Sequence, residues 1–254
     1  MTEQQFQLIR AAGFLAAAGL AVAAQRLKPH AGHPGSWRQN LGLWAIDAVV
    51  VGALCGACAC TAARWAAGSG LGALNVLGAP AWLGIPVSVA ALDLVSYGWH
   101  RANHRVAPLW RFHRVHHSDP SFTVSTGVRF HPGELVLSLP LRLAAVVAIG
   151  ASPAAVVVFE IAFTVANLIE HGDIDVVAPV EAAVARVFVT SALHRRHHAK
   201  HDPDRNFGTI FSWWDRLLGT YAPSSSAVRV ETGLAGLDRP ITLLGALALP
   251  LHRP

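Results

Sequence analysis

Charge is scarce in this 254-residue chain. Asp, Glu, Lys and Arg make up 14% of it, against 53% hydrophobic residues and a mean hydropathy of +0.40, whereas about a quarter of an ordinary soluble domain is charged. The shortage argues against a water-soluble globule and puts a membrane protein first. Cysteine is nearly absent too. Cys55, Cys58 and Cys60 sit together in one apolar run, so there is no disulfide framework, and CGACAC reads as small residues packed between helices. The net charge of +5 comes without a Lys/Arg run and without aromatics interleaved among basic residues, which excludes a nucleic-acid partner. There is no GxGxxG nucleotide fingerprint and no HExxH zinc-protease motif.

What the chain has is apolar length. A bilayer core of about 30 Å needs about 20 mostly apolar residues per helix, and segments 6–25, 41–63 and 81–99 meet that need. The first resembles a signal peptide, with Ala21-Val22-Ala23 as a cleavage signal, but Glu3 accompanies Arg10 in its leader, which favours an uncleaved helix. Arg26, Lys28 and Arg38 make the first loop the basic one, so it is expected in the cytoplasm. By parity the third helix then delivers His100 and His104 to that same side. Segments 134–150 and 153–170 meet at Gly150-Ala151-Ser152-Pro153, a turn between antiparallel helices. Pro140 and Arg142 leave only Leu143 to Gly150 as a clean run in the first arm, about 12 Å of helix, so the hairpin either crosses or enters partway. Residues 241–250 are too short to span and are expected to lie on the membrane or on the protein. The expectation is one integral-membrane domain over 1–254: an all-α, multi-pass bundle of four or five membrane helices, the last two a hairpin, with a cytoplasmic helical cap.

Eleven of fourteen histidines fall between residues 100 and 201. HRVHH at 113–117 and HRRHH at 194–198 repeat one spacing, each followed by an Asp-Pro that stops a helix. Positions i, i+3 and i+4 share a helical face, so His113, His116 and His117 form one patch and His194, His197 and His198 another. His100 and His104 form a third, and His171 follows the hairpin. Nine imidazoles exceed what one metal can use, which implies a dinuclear site. His131 and His201 are further candidates; His30, His33 and His252 read as loop residues. Asp93, Tyr97, His100 and His104 share a face, so Asp93 either orients a ligand imidazole through Tyr97 or joins two helices by a hydrogen bond. Glu160, Asn167 and His171 repeat that geometry, which brings Glu160 toward the site. Asp47 reads as a packing polar group.

The order HxxxH (100, 104), HxxHH (113, 116, 117), a lone histidine after a hydrophobic hairpin (171) and HxxHH (194, 197, 198) resembles the fatty acid hydroxylase superfamily of sterol desaturases and lipid hydroxylases. HHSDPSF at 116–122, RFHP at 129–132, Asn206-Phe207-Gly208 and WWDRLLGTY at 213–221 resemble its flanking signatures, and the likeness spans 90–221. It implies two non-haem iron ions held by His100, His104, His113, His116, His117, His171, His194, His197 and His198, with Asp93, Tyr97, Glu160, Asn167 and Asp215 around them. It also implies O2 as co-substrate, and hydroxylation or desaturation of a bilayer lipid such as a fatty acyl, sterol, sphingoid or ether lipid. Some members carry HxxxH where this chain has Asn167-Leu168-Ile169-Glu170-His171, which opens one ligand place to asparagine or water. His171-Gly172-Asp173 likewise stands where related bacterial sequences carry a different tripeptide. The likeness is greatest to a short bacterial branch near alkylglycerol monooxygenases, and implies the inner membrane of a bacterium.

With no nucleotide fingerprint and no cysteine cluster, electrons are expected from a separate protein. Arg105, Arg111, Arg195 and Arg196 either receive an acidic donor or lipid phosphates, or anchor the cytoplasmic face. Two other classes remain to compare. A metal transporter would carry polar groups at several membrane depths, whereas these histidines crowd one end. A zinc lipid hydrolase would show a catalytic carboxylate beside an open metal site.

Overall fold

The structure, a computed structural model, describes residues 3–32, 35–55, 58–225 and 228–252. Among them the chain is all-helical, with isolated β-bridges and no strand. The helices are α1 (Glu3–Leu27), α2 (Trp37–Cys55), α3 (Cys58–Gly68), α4 (Ala73–Val76), α5 (Ala81–Arg105), α6 (Ala107–His117), α7 (Pro132–Ile149), α8 (Pro153–Glu170), α9 (Ala178–Val184), α10 (Ser191–His197), α11 (Trp213–Leu217) and α12 (Leu243–Ala248). Five stretches are long and apolar enough to cross a membrane: Gln4–Leu27, Trp37–Val76, Ala81–Arg105, Pro132–Ile149 and Pro153–Glu170. Residues 56–57, inside the expected 41–63 segment, and His33 lie outside the described residues.

Only 17–33% of the apolar window of each candidate span is buried, and the exposed side chains include Leu8, Leu15, Leu20, Val49, Trp65, Trp82 and Val158. A surface of this kind needs a lipid solvent. The interior is built on α8, which packs against α1, α3 and α5, while α7 packs against α2, α3 and α5. Phe6, Cys60, Ala63, Leu92, Val146, Ala155, Val156 and Phe159 form the main core. Its many small residues let backbones approach, as membrane helix pairs require.

Local chemistry sets the hairpin. Gly150 ends α7 at φ +75°, a left-handed cap that glycine adopts without cost. The Ser152 side chain then accepts from Ala155 N–H, and Pro153 opens α8. The first arm stays helical through Pro140 and Arg142, and each arm is 18 residues, about 27 Å at 1.5 Å per residue. At the turn, Gly72 lies so close that a Cβ there would meet Val147 O and Gly150 N at 2.3 Å.

At the opposite end of the bundle α5 runs six residues beyond the expected 99, carrying His100 and His104 past the apolar part. The 241–250 segment settles on the protein: α12 packs with Leu43 of α2 and Val115 of α6.

The segments quoted around the histidines have structural work of their own. Asp119 accepts from Ser36 Oγ (2.7 Å), Asn40 Nδ2 (2.8 Å), Ser121 N (3.0 Å) and Thr126 Oγ1 (3.0 Å). Arg129, 1% exposed, donates to Val115 O, Asn40 Oδ1 and Ser118 Oγ at 2.7–2.8 Å. Together they fasten the end of α6 to the start of α2. Arg129→Leu strands the Asn40 oxygen and the Val115 carbonyl in the interior, and is expected to cost about 3 kcal/mol or more. A thermal melt in detergent checks this, and an unchanged Tm would contradict it.

Candidate metal centre

Nine histidines converge in two groups. His100, His104, His113, His117 and His197 form one, and His116, His171, His194 and His198 the other. Within each group one nitrogen per ring lies within 4.8 Å of the rest. Around one ion, imidazole nitrogens at ~2.1 Å stand about 3–4 Å apart, so the widest pairs in each group need to close by about 1–2 Å. The groups adjoin: the rings of His117 and His198 stack with centroids 4.2 Å apart.

Helical geometry explains how two pentapeptides of one histidine spacing feed two groups. At about 100° per residue, positions i and i+4 are about 40° apart, while i+3 lies about 60° to the other side of i. Thus α6 gives His113 and His117 to the first group and His116 to the second. In α10 and its cap, His194 and His198 go to the second group and His197 to the first. The extra members come from the end of α5 for the first group and the end of α8 for the second. Each pentapeptide is therefore split between the groups.

Five of the nine rings are held by hydrogen bonds at Nδ1. Carbonyl oxygens only accept, so Nδ1 carries the proton wherever it meets one: His100 donates to Phe207 O (2.9 Å), His116 to Arg129 O (3.2 Å), His171 to Asn167 O (2.6 Å) and His197 to Arg205 O (2.7 Å). His113 Nδ1 meets Glu134 Oε1 at 2.9 Å, and Asn103 donates to the same oxygen at 3.0 Å. His104 Nδ1 lies 3.6 Å from Asp204. Fixing the proton on Nδ1 turns the Nε2 lone pair inward, the arrangement that orients imidazole toward a metal. The Nε2 atoms of His100, His104, His113, His117, His197 and His198 are buried with no hydrogen-bond partner among the described residues. His171 Nε2 instead lies 3.1 Å from His116 Nε2 and 3.0 Å from His194 Nε2.

Burial, and then the neighbouring imidazoles, push His116, His117, His194, His197 and His198 well below the ordinary histidine value. Burial takes His171 to about 3, against the opposing hydrogen bond to Asn167. All six are neutral at pH 7, the form that binds metal. Buried lone pairs without partners, in neutral rings at ligand spacing, fit metal ions. Phe130 stacks on His116 (4.6 Å), Phe122 on His171 (5.7 Å) and Phe207 abuts His104 (5.2 Å), keeping the rings dry.

One loop governs the first group. Asp204 faces His104, Arg205 O takes His197 and Phe207 O takes His100. Asn206 adopts φ +54°, a region asparagine tolerates, and its side chain bonds Leu193 O and the Ala222 main chain. At Gly208 a Cβ would stand 2.7 Å from Phe211 O. Asp215 accepts from Phe207 N, Gly208 N and Thr220 Oγ1 at 2.7–2.9 Å, and Tyr97 OH pairs with Thr220 Oγ1 at 2.8 Å.

Several expected roles change. Asp93 does not act through Tyr97; it accepts from Ile210 N, Phe211 N and Trp214 Nε1, because the 210–214 segment lies over α5. Glu160 does not reach the histidines: it pairs with Arg10 at 2.5 Å and Arg142 at 3.6 Å. Asn167 turns its side-chain nitrogen to Gly127 O (2.6 Å), leaving its carbonyl for His171. His131 caps α7, accepting from Gly133 N and donating to Leu247 O, and His201 is exposed. His131→Ala is expected to lower stability by about 1 kcal/mol with metal content unchanged, as read by a melt and metal analysis; loss of metal would return His131 to the cage. Arg105 pairs with Asp204, Arg195 with Asp173 and Arg196 with Asp202, whereas Arg111 is exposed.

Three carboxylates were missed, Asp204 beside His104 being one. Glu134 holds His113 from the first turn of α7. Glu170, 1% exposed, lies 3.9 Å from His171 Nδ1 and 3.8 Å from His194 Nδ1. The available signal was a carboxylate at each histidine-bearing end of the hairpin.

A cavity of about 150 Å³ opens between α5, α7 and α8. Val95, Trp99, Leu135, Leu141, Phe159 and Phe163 line it along the membrane helices. At its inner end stand His100 and His113 of one group and His116, His171 and His194 of the other.

Comparison with known proteins agrees with this arrangement. The profile of the fatty acid hydroxylase family matches residues 85–220. The chain is 31% identical over 144 residues to an ornithine lipid hydroxylase of Rhizobium tropici, covering 55% of this chain and 42% of that protein. It is 29% identical over 157 residues to an alkylglycerol monooxygenase of Danio rerio (59% and 32%) and 29% over 144 residues to a sphingolipid C4-hydroxylase of Schizosaccharomyces pombe (55% and 48%). It thus spans less than half the length of each of these relatives. No solved structure matches significantly. From Ile85 to Thr220, over the helices, loops and hairpin that carry all nine converging histidines, this chain belongs to the fatty acid hydroxylase family.

Proposed function

We propose that the protein is a membrane-bound, non-haem di-iron oxygenase that hydroxylates a C–H bond of a bilayer lipid, desaturation being the variant outcome of the same site. The observation that carries this reading is the cavity, whose apolar walls belong to candidate membrane helices and whose end is made of both histidine groups. The named relatives act on lipids by hydroxylation or monooxygenation, in keeping with it.

In this reading residues 1–254 act as one membrane unit. His100, His104, His113, His117 and His197 hold one iron, and His116, His171, His194 and His198 the other. When bound, the iron pair supplies O2 activation, chemistry that side chains alone lack. The protein does the rest. Glu134, Asp204 and the carbonyls of Arg129, Asn167, Arg205 and Phe207 keep the imidazole protons on Nδ1. Val95, Trp99, Leu135, Phe159 and Phe163 seat the lipid chain against the histidines and exclude water. The basic loop at Arg26, Lys28 and Arg38 supports a cytoplasmic histidine end, where a separate electron-donor protein would reach it.

Lipid profiling of cells with and without the protein, grown under ¹⁸O2, tests the reading. A lipid gaining one labelled oxygen only when the protein is present is expected. Product oxygen drawn from water instead would point to a hydrolase.

A further inference from the structure

The expectation that Glu160 serves the metals fails for a physical reason that raises a new question. In the middle of the hairpin one carboxylate faces two guanidinium groups. Arg10 takes the closer place: it is 2.5 Å from Glu160, bonds Gln7 at 3.4 Å, and lies over the Phe6 ring. Arg142 stands 3.6 Å from the other oxygen, its side chain 50% exposed, and makes no hydrogen bond among the described residues. The cluster keeps an excess positive charge in the middle of the hairpin, where a charged side chain is costly. Such a charge is retained where something neutralises it. Arg142 also lines the cavity that ends at the histidines. Eight residues of α7 separate it from Glu134, the carboxylate holding His113, which is about 12 Å at 1.5 Å per residue. Cation and metal centre therefore line one cavity, about 12 Å apart along α7.

We propose that Arg142 binds an anionic group of the lipid, a carboxylate or a phosphate oxygen, with the hydrocarbon chain running from it to the histidines. Guanidinium suits either oxyanion through paired N–H donors. The attacked carbon is then set by its distance from the anionic group, with α7 as the ruler. The inference rests on the lipid reading of the cavity.

The test measures equilibrium binding of palmitate and of methyl palmitate to the iron-loaded full chain in phosphatidylcholine nanodiscs, kept anaerobic so that no turnover intervenes. Wild type is expected to prefer palmitate by about tenfold or more, the usual worth of a charge-assisted hydrogen bond. Arg142→Gln is expected to erase that preference with little change for the ester, and Arg142→Lys to keep part of it. A wild type that does not discriminate, a preference that survives Arg142→Gln, or an equal loss for both probes would overturn the inference. Failure of both probes to bind wild type would overturn the cavity reading itself, and this inference with it; Arg142-dependent discrimination here, together with no labelled lipid in the ¹⁸O2 experiment, would leave the anion site standing and sink only the oxygenase.

Discussion

Replacing His171 with alanine is expected to abolish turnover and to lower bound iron from about two ions per chain to about one, with the membrane helices intact. His171 belongs to the group of four, which has no spare imidazole, and its Nε2 lies 3.1 Å from His116 and 3.0 Å from His194. Taking it away leaves three nitrogens from two helices, and breaks the link between the end of α8 and the rest. The group of five offers the internal comparison: with four histidines left after His104→Ala, iron should be weakened there rather than lost. Metal analysis and circular dichroism on purified protein read both variants. Two irons and retained activity in His171→Ala would remove it from the ligand set.

Glu134→Leu should give the next largest effect. Glu134 is 5% exposed and Oε1 binds both His113 Nδ1 and Asn103. Without it the His113 ring loses the acceptor that fixes its proton, and the Asn103 amide is left buried. Loss of such an outer partner usually costs 10–100-fold in metal affinity or activity, so a fall of about 100-fold is expected. Glu134→Gln keeps an acceptor and should lose about tenfold. The two variants together separate positioning from packing, because their volumes are alike while only Gln can accept. Equal losses in the two would contradict the positioning role; competition with a chelator of known affinity gives the numbers.

These partners show where sequence reading stops. The repeated HxxHH spacing made the two patches visible because α-helical periodicity converts spacing into direction. It also pointed to more than one ion, since nine imidazoles exceed what a single ion takes. The crossed assignment, His116 to one group and His113 with His117 to the other, depends on how α6 and α10 face each other, which spacing leaves open. Four of the acceptors holding Nδ1 are main-chain carbonyls, of Arg129, Asn167, Arg205 and Phe207, and a carbonyl carries no residue identity. Glu134 was hidden for another reason. It lies 21 residues from His113 on a separate helix, and meets it only once the hairpin has packed. Same-face arithmetic misled for Glu160, whose partner is Arg10 of α1; for Asp93 the helix-joining alternative holds, through Trp214 of α11.

The membrane architecture was legible for a simpler reason. Scarcity of charge and apolar length are properties of the composition, and the five candidate spans fall where the apolar runs lie. Their ends were less visible, since α5 continues to Arg105 through residues too polar to mark as membrane. That extension lifts His100 and His104 clear of the apolar core to meet α6.

Mössbauer spectroscopy of iron-57-loaded protein in its oxidised form tests the central claim most directly, because it reports both how many irons are present and whether they are neighbours. Two adjoining histidine groups, with His117 and His198 stacked between them, predict about two irons per chain whose spins are coupled into a diamagnetic pair. A single iron per chain, or two irons that remain magnetically independent, would contradict it.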